Sequence, residues 1–473
     1  MLTSSPWLSV IPPLVVIFIS IKFKKIFPAL FLGLWLGATM LADGRPLRGL
    51  FGCVERCLDV FKDGDLAKVV FFCCFIGAIL ALIQRSGGID GFIKFVTKKK
   101  LVRSRRQAQL LTVAVGTLIP IESSINVLIP GSISRPLYDE FKISREKLAF
   151  LSLSFCAPIC TLIPINAWGA YVSGIMAGQN IAKPFSLYIK AIPFNLYSLF
   201  AMGFALLLIA FQKDAFAMAK AEKRARDGVR KTGIAEGSAL SGEALSVEAK
   251  PGVKPRVSNM LVPVVSMIGA MIAGMLITGH GRFTEGQGAT AVFYAVIFAI
   301  LVAALQYRIS GIMSFGETSS LFFKAVGDMT AMGFLITMSF ALSTLCLDLK
   351  TGPFVAGAAQ HIVNMKLVPA ILFALTAFIS FAIGTAWGAW AIMFPIGLAF
   401  VPGTGLQTLI VLGALMSGGV FGNHCSPIAY TTLMAAVASG GNHVDNIQAI
   451  LPYALLLAGF TGIVYLGLGL VFL

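Results

Sequence analysis

Apolar runs of about 18 residues or more recur along the whole chain, which is the length a helix needs to cross a ~30 Å hydrocarbon layer. The runs are continuous and do not alternate, so they predict helices and exclude a transmembrane barrel. Crossings are expected at 9–21, 27–42 and 66–85, a broken segment at 108–132, an interrupted one at 148–177 and a full helix at 184–211. After a charged stretch the order repeats: 260–278, 289–307, 325–347, a broken 368–401, an interrupted 409–438, and 450–473. Gly116-Thr117 and Gly384-Thr385 are offset by 268 positions, and Ala157-Pro158 and Ser426-Pro427 by 269. Landmarks that keep their separation at such a long period point to a duplicated unit.

Composition agrees with the pattern. The 473 residues are 57% hydrophobic and 12% charged, far from the roughly one quarter charged of a soluble domain. The expected fold is an all-α polytopic membrane protein. Its three parts are a first membrane repeat at 1–211, a charged linker at 212–257 and a second membrane repeat at 258–473. The linker is expected to be helical at its start and disordered later. Residues 1–6 hold no Lys or Arg, so a cleavable signal peptide is not expected.

The net charge of +16 does not call for nucleic acid, because basic residues mark cytoplasmic loops. If the two broken segments are re-entrant hairpins, the loops at 22–25, 94–106, 135–147 and 213–256 share one side and carry 24 of the 37 basic residues. That side is then cytoplasmic, the linker is cytoplasmic, both termini lie outside, and the bilayer is the plasma (inner) membrane. If the hairpins were full crossings, 135–147 would be external, against the rule. Each half thus has about five transmembrane helices plus one re-entrant hairpin. An odd number of crossings turns the second half over, giving an inverted repeat of the kind that places a transporter's site at the midplane.

Candidate chemistry gathers at the breaks. Glu122 is the acid placed inside a broken membrane segment, where a carboxylate is costly and function is the default reading. Ser123, Ser124 and Asn126 beside it offer oxygens to sodium or a polar solute, while such residues also serve as interhelical glue. Asn166 and Trp168 follow prolines at 158 and 164, and Thr385, Trp387 and Trp390 mark the second hairpin tip. The run Gly418-Gly419-Val420-Phe421-Gly422-Asn423-His424-Cys425-Ser426-Pro427 reads as unwound backbone offering carbonyls to a cation and half-helix N-termini to an anion. His424 suits a proton relay, or a histidine bonded to backbone carbonyls. His280, His361 and His443 read as loop residues, and Lys324 and Asp328 as a helix start. Six cysteines sit in apolar surroundings, whereas Cys53 and Cys57, in an expected external loop, are free to pair or to bind metal.

Four segments together resemble the NhaC-type sodium/proton antiporter family: Ser144-Arg145-Glu146-Lys147-Leu148-Ala149, Gly384-Thr385-Ala386-Trp387-Gly388, Phe421-Gly422-Asn423-His424-Cys425-Ser426-Pro427 and Leu451-Pro452-Tyr453-Ala454. The likeness covers nearly the whole chain and implies an ion transporter with inverted repeats and paired hairpins. The chain departs from the family at four acidic positions, where it carries Ser123, Leu153, Asn423 and Tyr430. Antiport of sodium needs acids that alternate between ion and proton, and a buried cation without compensating charge costs several kcal/mol or more. Tyr430 and Asn423 instead suit a neutral, zwitterionic or organic-cation solute, and Thr431 and Ser426 are further candidate binding residues.

The function expected is therefore an ion-coupled secondary transporter, not an enzyme, moving a small organic solute by alternating access with H+ or Na+ coupling through Glu122. The alternatives are sodium/proton exchange, with Na+ near Glu122, Asn126 and Asn423, and, more remotely, a membrane channel. No cofactor beyond a coupling ion is expected. The expected partners are the lipid bilayer and a small solute or cation, with a homodimer left open.

Overall fold

The computed structural model describes residues 6–23, 26–98, 102–118, 123–164, 166–228, 249–282, 286–351, 354, 364–400 and 404–473. All regular structure among them is helical. Eight helices are long and apolar enough to cross a membrane, and two bent pairs raise the number to ten. Most expected crossings are present within a few residues, as at Gly64–Arg85, Ser258–Thr278 and Gly288–Ile309.

Several elements differ from the sequence reading. The expected loop holding Cys53 and Cys57 is a helix, Pro46–Asp59, turned 117° from the crossing before it. Both of its thiols are free. A helix at Gly88–Lys98 occupies part of the expected basic loop. The full helix expected at 184–211 is interrupted at Ile192–Phe194, where Pro193 lacks the N–H that would continue the ladder. The crossing expected at 325–347 is two helices, Phe315–Asp328 and Thr330–Asp348, so Asp328 ends a helix and does not start one.

Both broken segments are antiparallel hairpins. In the first, the arms are Arg105–Leu118 and Ser123–Glu140. The Arg105 guanidinium at the start of one arm donates to the Lys142 carbonyl just past the other at 3.0 Å. Thr112 donates to the Tyr138 hydroxyl at 3.1 Å, and Gly116 lies against Asn126. In the second, Val368–Ile383 reverses at Gly384, whose φ of +74° suits glycine, and returns as Ala386–Leu398 with Gly397 against Leu372. The 14-residue and 13-residue arms reach only about two-thirds of the way across ~30 Å of hydrocarbon.

Helix ends gather in two sets. One surrounds the linker: Lys147 pairs with Asp214 at 2.6 Å, Arg224 with Glu146 at 2.6 Å, and Arg105 with Glu222. At the linker's other end, Lys250 donates to the Arg85 carbonyl and pairs with Glu317. The opposite set joins Thr351 to the Ser9 carbonyl, Arg56 to Asp348, and Gln407 to the carbonyl of Phe472. The first hairpin opens at the linker end. The second opens at the opposite end, where the Lys366 carbonyl packs on Gly469.

Candidate functional site

Two broken helices meet in the interior. The Arg145–Ser154 helix stops at Phe155–Cys156 and resumes as Ala157–Leu162, with Pro158 in its first turn. The Leu406–Cys425 helix stops at Ser426 and resumes at Tyr430–Ser439. The glycine-rich run expected to be unwound is therefore helical as far as Cys425. Its glycines serve close crossings instead: Gly418 lies on Thr376, Gly419 on Trp390 and Gly422 on Ser380, as small residues do where membrane helices approach.

At the second break, groups released from the helical ladder are satisfied locally, as an apolar medium requires. Ser426 donates to the Phe381 carbonyl at 2.7 Å, Thr432 to the Ser426 carbonyl at 2.8 Å and Thr431 to the Asn423 carbonyl at 2.7 Å. His443, the first residue of a helix and not a loop residue, places Nε2 2.7 Å from the Pro427 carbonyl. His280 lies in a turn, and His361 lies outside the described residues.

His424 joins the two breaks. Its Nε2 shares a hydrogen bond of 3.1 Å with the hydroxyl of Ser154, the last residue of the first-half helix. Its Nδ1 shares one of 2.8 Å with the Tyr197 hydroxyl. Both partners are hydroxyls, where the sequence allowed for backbone carbonyls. Ser154 and Tyr197 lie 270 and 227 positions away, so no local motif announces them. A further buried polar cluster adjoins them: Ser417 donates to Asn195 at 3.0 Å and shares a bond with Tyr465 at 2.7 Å, and Asn195 donates to Thr161 at 2.9 Å.

The first hairpin supplies Ser123 and Asn126, both buried. Glu122 and the side chain of Ser124 lie outside the described residues. Cys156 donates to the Ser123 carbonyl at 2.9 Å, and the Asn126 amide nitrogen to Cys160 Sγ at 3.7 Å. The amide oxygen of Asn126 is buried without a partner among the described residues, a costly state that a bound cation or water would relieve. No group of three or more His, Cys, Asp or Glu able to hold a metal is found among the described residues.

Asn166 caps the Ala167–Gly178 helix by accepting from the amides of Trp168 and Gly169. Trp168 meets the second hairpin, with ring centroids 5.3 Å from Trp387 and 5.2 Å from Trp390. Its indole nitrogen is buried and has no partner among the described residues. Thr385 sits half-buried at that hairpin's turn. Tyr430 is 38% exposed at the start of its helix, apart from the closed crossing.

Comparison with known proteins adds an independent line. A family model described as the Na+/H+ antiporter family matches residues 159–470. An uncharacterized protein of Haemophilus influenzae is 27% identical over 491 residues, covering 99% of this chain and 91% of that protein. The arginine/ornithine antiporter ArcD of Halobacterium salinarum is 25% identical over 228 residues, 46% of this chain and 43% of its own length. Among solved structures, the YdaH transporter of Alcanivorax borkumensis shares the fold, with a TM-score of 0.59 and 16% identity over 90% of this chain and 88% of that one.

Proposed function

Because this chain belongs to the Na+/H+ antiporter family, we propose that it is a secondary transporter of the inner membrane that exchanges a small organic solute for H+ or Na+. Its two halves are then inverted repeats, with hairpins entering from opposite faces, the linker cytoplasmic and both termini outside. Alternating access comes from movement about the crossing of the broken helices. Members of this family couple to ions and are transporters, not enzymes.

The observation that carries the organic-solute reading is the replacement of acids at the site. Ser123, Leu153, Asn423 and Tyr430 stand where the family's carboxylates are expected. The interior offers the amides Asn126 and Asn423, hydroxyls, and the indoles of Trp168, Trp387 and Trp390. Amides, hydroxyls and aromatic faces suit a polar organic solute, and the faces attract its cationic groups. The partial likeness to a relative named an arginine/ornithine antiporter supports an amino-acid-like solute. Glu122 supplies the coupling charge. Sodium/proton exchange is the second reading, favoured by the unpartnered Asn126 oxygen.

A thermal-shift screen of amino acids and polyamines on purified protein selects the solute, since a ligand that binds the folded state raises its stability by mass action. Flux in proteoliposomes then decides. Solute uptake driven by a pH or sodium gradient, lost in Glu122→Gln while that variant stays folded, is the expected result. Saturable sodium-driven pH change with no organic substrate would establish the second reading, and undiminished coupling in Glu122→Gln would remove that residue's role.

A further inference from the structure

We propose that His424 is a proton-binding group of the transport cycle, loaded on one side of the membrane and unloaded on the other, in addition to Glu122. This deepens the secondary-transporter reading and rests on it.

Three features of its surroundings fit both charge states of the ring. First, the hydroxyls of Ser154 and Tyr197 on its two nitrogens can each donate or accept. In the neutral ring one nitrogen accepts from its hydroxyl and the other donates. In the imidazolium both nitrogens donate, and the first hydroxyl needs only to rotate. A backbone carbonyl at either position would hold an N–H there permanently, because it cannot donate. Second, Ser154 ends one helix and His424 lies in the last turn of another. Each helix C-terminus carries roughly half a negative charge, so two such ends converge on one ring and favour its cation. Third, the ring of Phe150 lies 6.0 Å from the imidazole, centroid to centroid, about the range at which an aromatic ring attracts a cation.

Other titratable groups around the ring are few. On its own helix Cys425 donates to the Phe421 carbonyl at 3.2 Å. The Arg145–Ser154 helix carries Arg145, Glu146 and Lys147 at its far end, paired with Asp139, Arg224 and Asp214. Cys156 and Cys160 belong to the first break, and Tyr188 and Lys190 to the Pro184–Ala191 helix. The last helix presents Tyr453, its ring tilted against Phe150, and Tyr465, and carries His443 and Asp445 in its first turn. Tyr430 opens the helix after the second break, and Val368–Ile383 and Ala386–Leu398 carry no charged side chain. The first hairpin carries Asp139 and Glu140 at the end of its second arm, and Glu122 lies outside the described residues.

The position couples the proton to movement. The Ser154 bond ties the two halves across their breaks, and His424 is fully buried, closed from both sides. Separation of the breaks toward one side uncovers the ring. Water there delivers a proton to the nitrogen that lacks one, an N–H bond forms, and the neighbouring hydroxyl rotates to accept from it. After the opposite opening the same bond breaks and the proton returns to water, so no redox partner is needed.

The test uses the full-length protein in liposomes, labelled with 15N-histidine. Of its four histidines, the one whose ring resonances respond to Tyr197→Phe is His424. If the ring carries the transported proton, it converts from neutral to imidazolium as the pH is lowered. The midpoint falls in Tyr197→Phe, because the lost bond is stronger to the charged form. A ring that keeps one protonation state throughout overturns the proposal, as does a midpoint that ignores Tyr197→Phe. In parallel, the solute gradient at equilibrium is measured with arginine as probe. Loss of one coupled proton in His424→Gln lowers it about tenfold per pH unit. An unchanged gradient in a folded His424→Gln sinks the inference alone, whereas absence of any ion-driven arginine or sodium flux in the unaltered protein sinks the transporter reading itself.

Discussion

Lys147 is 1% exposed, and its ammonium lies 2.6 Å and 2.8 Å from the two carboxylate oxygens of Asp214. Removing one partner of a buried pair leaves an uncompensated charge, so Asp214→Asn is expected to cost about 3–5 kcal/mol, while the double replacement Lys147→Met with Asp214→Leu recovers most of it. Thermal unfolding in detergent checks this, and equal loss in single and double variants would contradict it. The sequence displayed Ser144-Arg145-Glu146-Lys147 as a motif and the start of the linker as merely charged. It carried no sign that Ser144 bonds Glu222, that Glu146 pairs with Arg224, or that Arg145 reaches the Ser439 carbonyl at 2.8 Å. Those partners lie 78 and 294 positions away, and period and spacing speak only of near neighbours. The same distance hid Ser154 and Tyr197 from His424, although the histidine itself stood out by its type in an apolar region.

At the scale of elements, breaks were legible where proline met other polar or small residues, as at Pro158 and Pro427, but proline alone does not mark one. Pro130, Pro136, Pro263, Pro395 and Pro452 all lie inside helices, because neighbouring segments can satisfy the carbonyls that proline frees. The glycine run was misread for a related reason. Glycine marks unwound backbone and tight helix crossings equally well, and only the packing partner tells them apart. Here the partners are definite: a Cβ on Gly419 would fall 2.1 Å from Trp390 Nε1, and one on Gly422 2.2 Å from Ser380 Oγ. Overfilling such a crossing costs about 1–3 kcal/mol, so Gly419→Ala should lower the unfolding temperature and reduce transport. Trp390→Phe in the same chain should restore part of both, since it removes the atom that is struck. If glycine were present for backbone freedom, Trp390→Phe would give no relief.

For the whole molecule, the charge pattern makes a prediction about orientation that the packing lets one test sharply. Arg85, Arg105, Arg145, Lys147, Arg224 and Lys250 come together around the two ends of the linker, and the opposite set joins the first helix, through Ser9, to Thr351 and the last helix, through Phe472, to Gln407. Two-sidedness of this kind was readable from the count of Lys and Arg in loops, because insertion responds to basic residues near helix ends. Which hairpin opens where was readable only through that count, since neither short arm announces a re-entrant path by its own hydropathy. If the basic set faces the cytoplasm, alkaline phosphatase fused after Leu473 is active and green fluorescent protein at the same place is dark. A cysteine at the exposed Lys220 then reacts with a membrane-impermeant maleimide only in inside-out vesicles, whereas a cysteine at the exposed Lys183 reacts only in right-side-out ones. Agreement of all three assays places both termini outside and the linker inside. Labelling of both cysteines from one side would mean that the two sets of helix ends do not face opposite waters and that the 184–211 segment between the two positions does not cross the membrane.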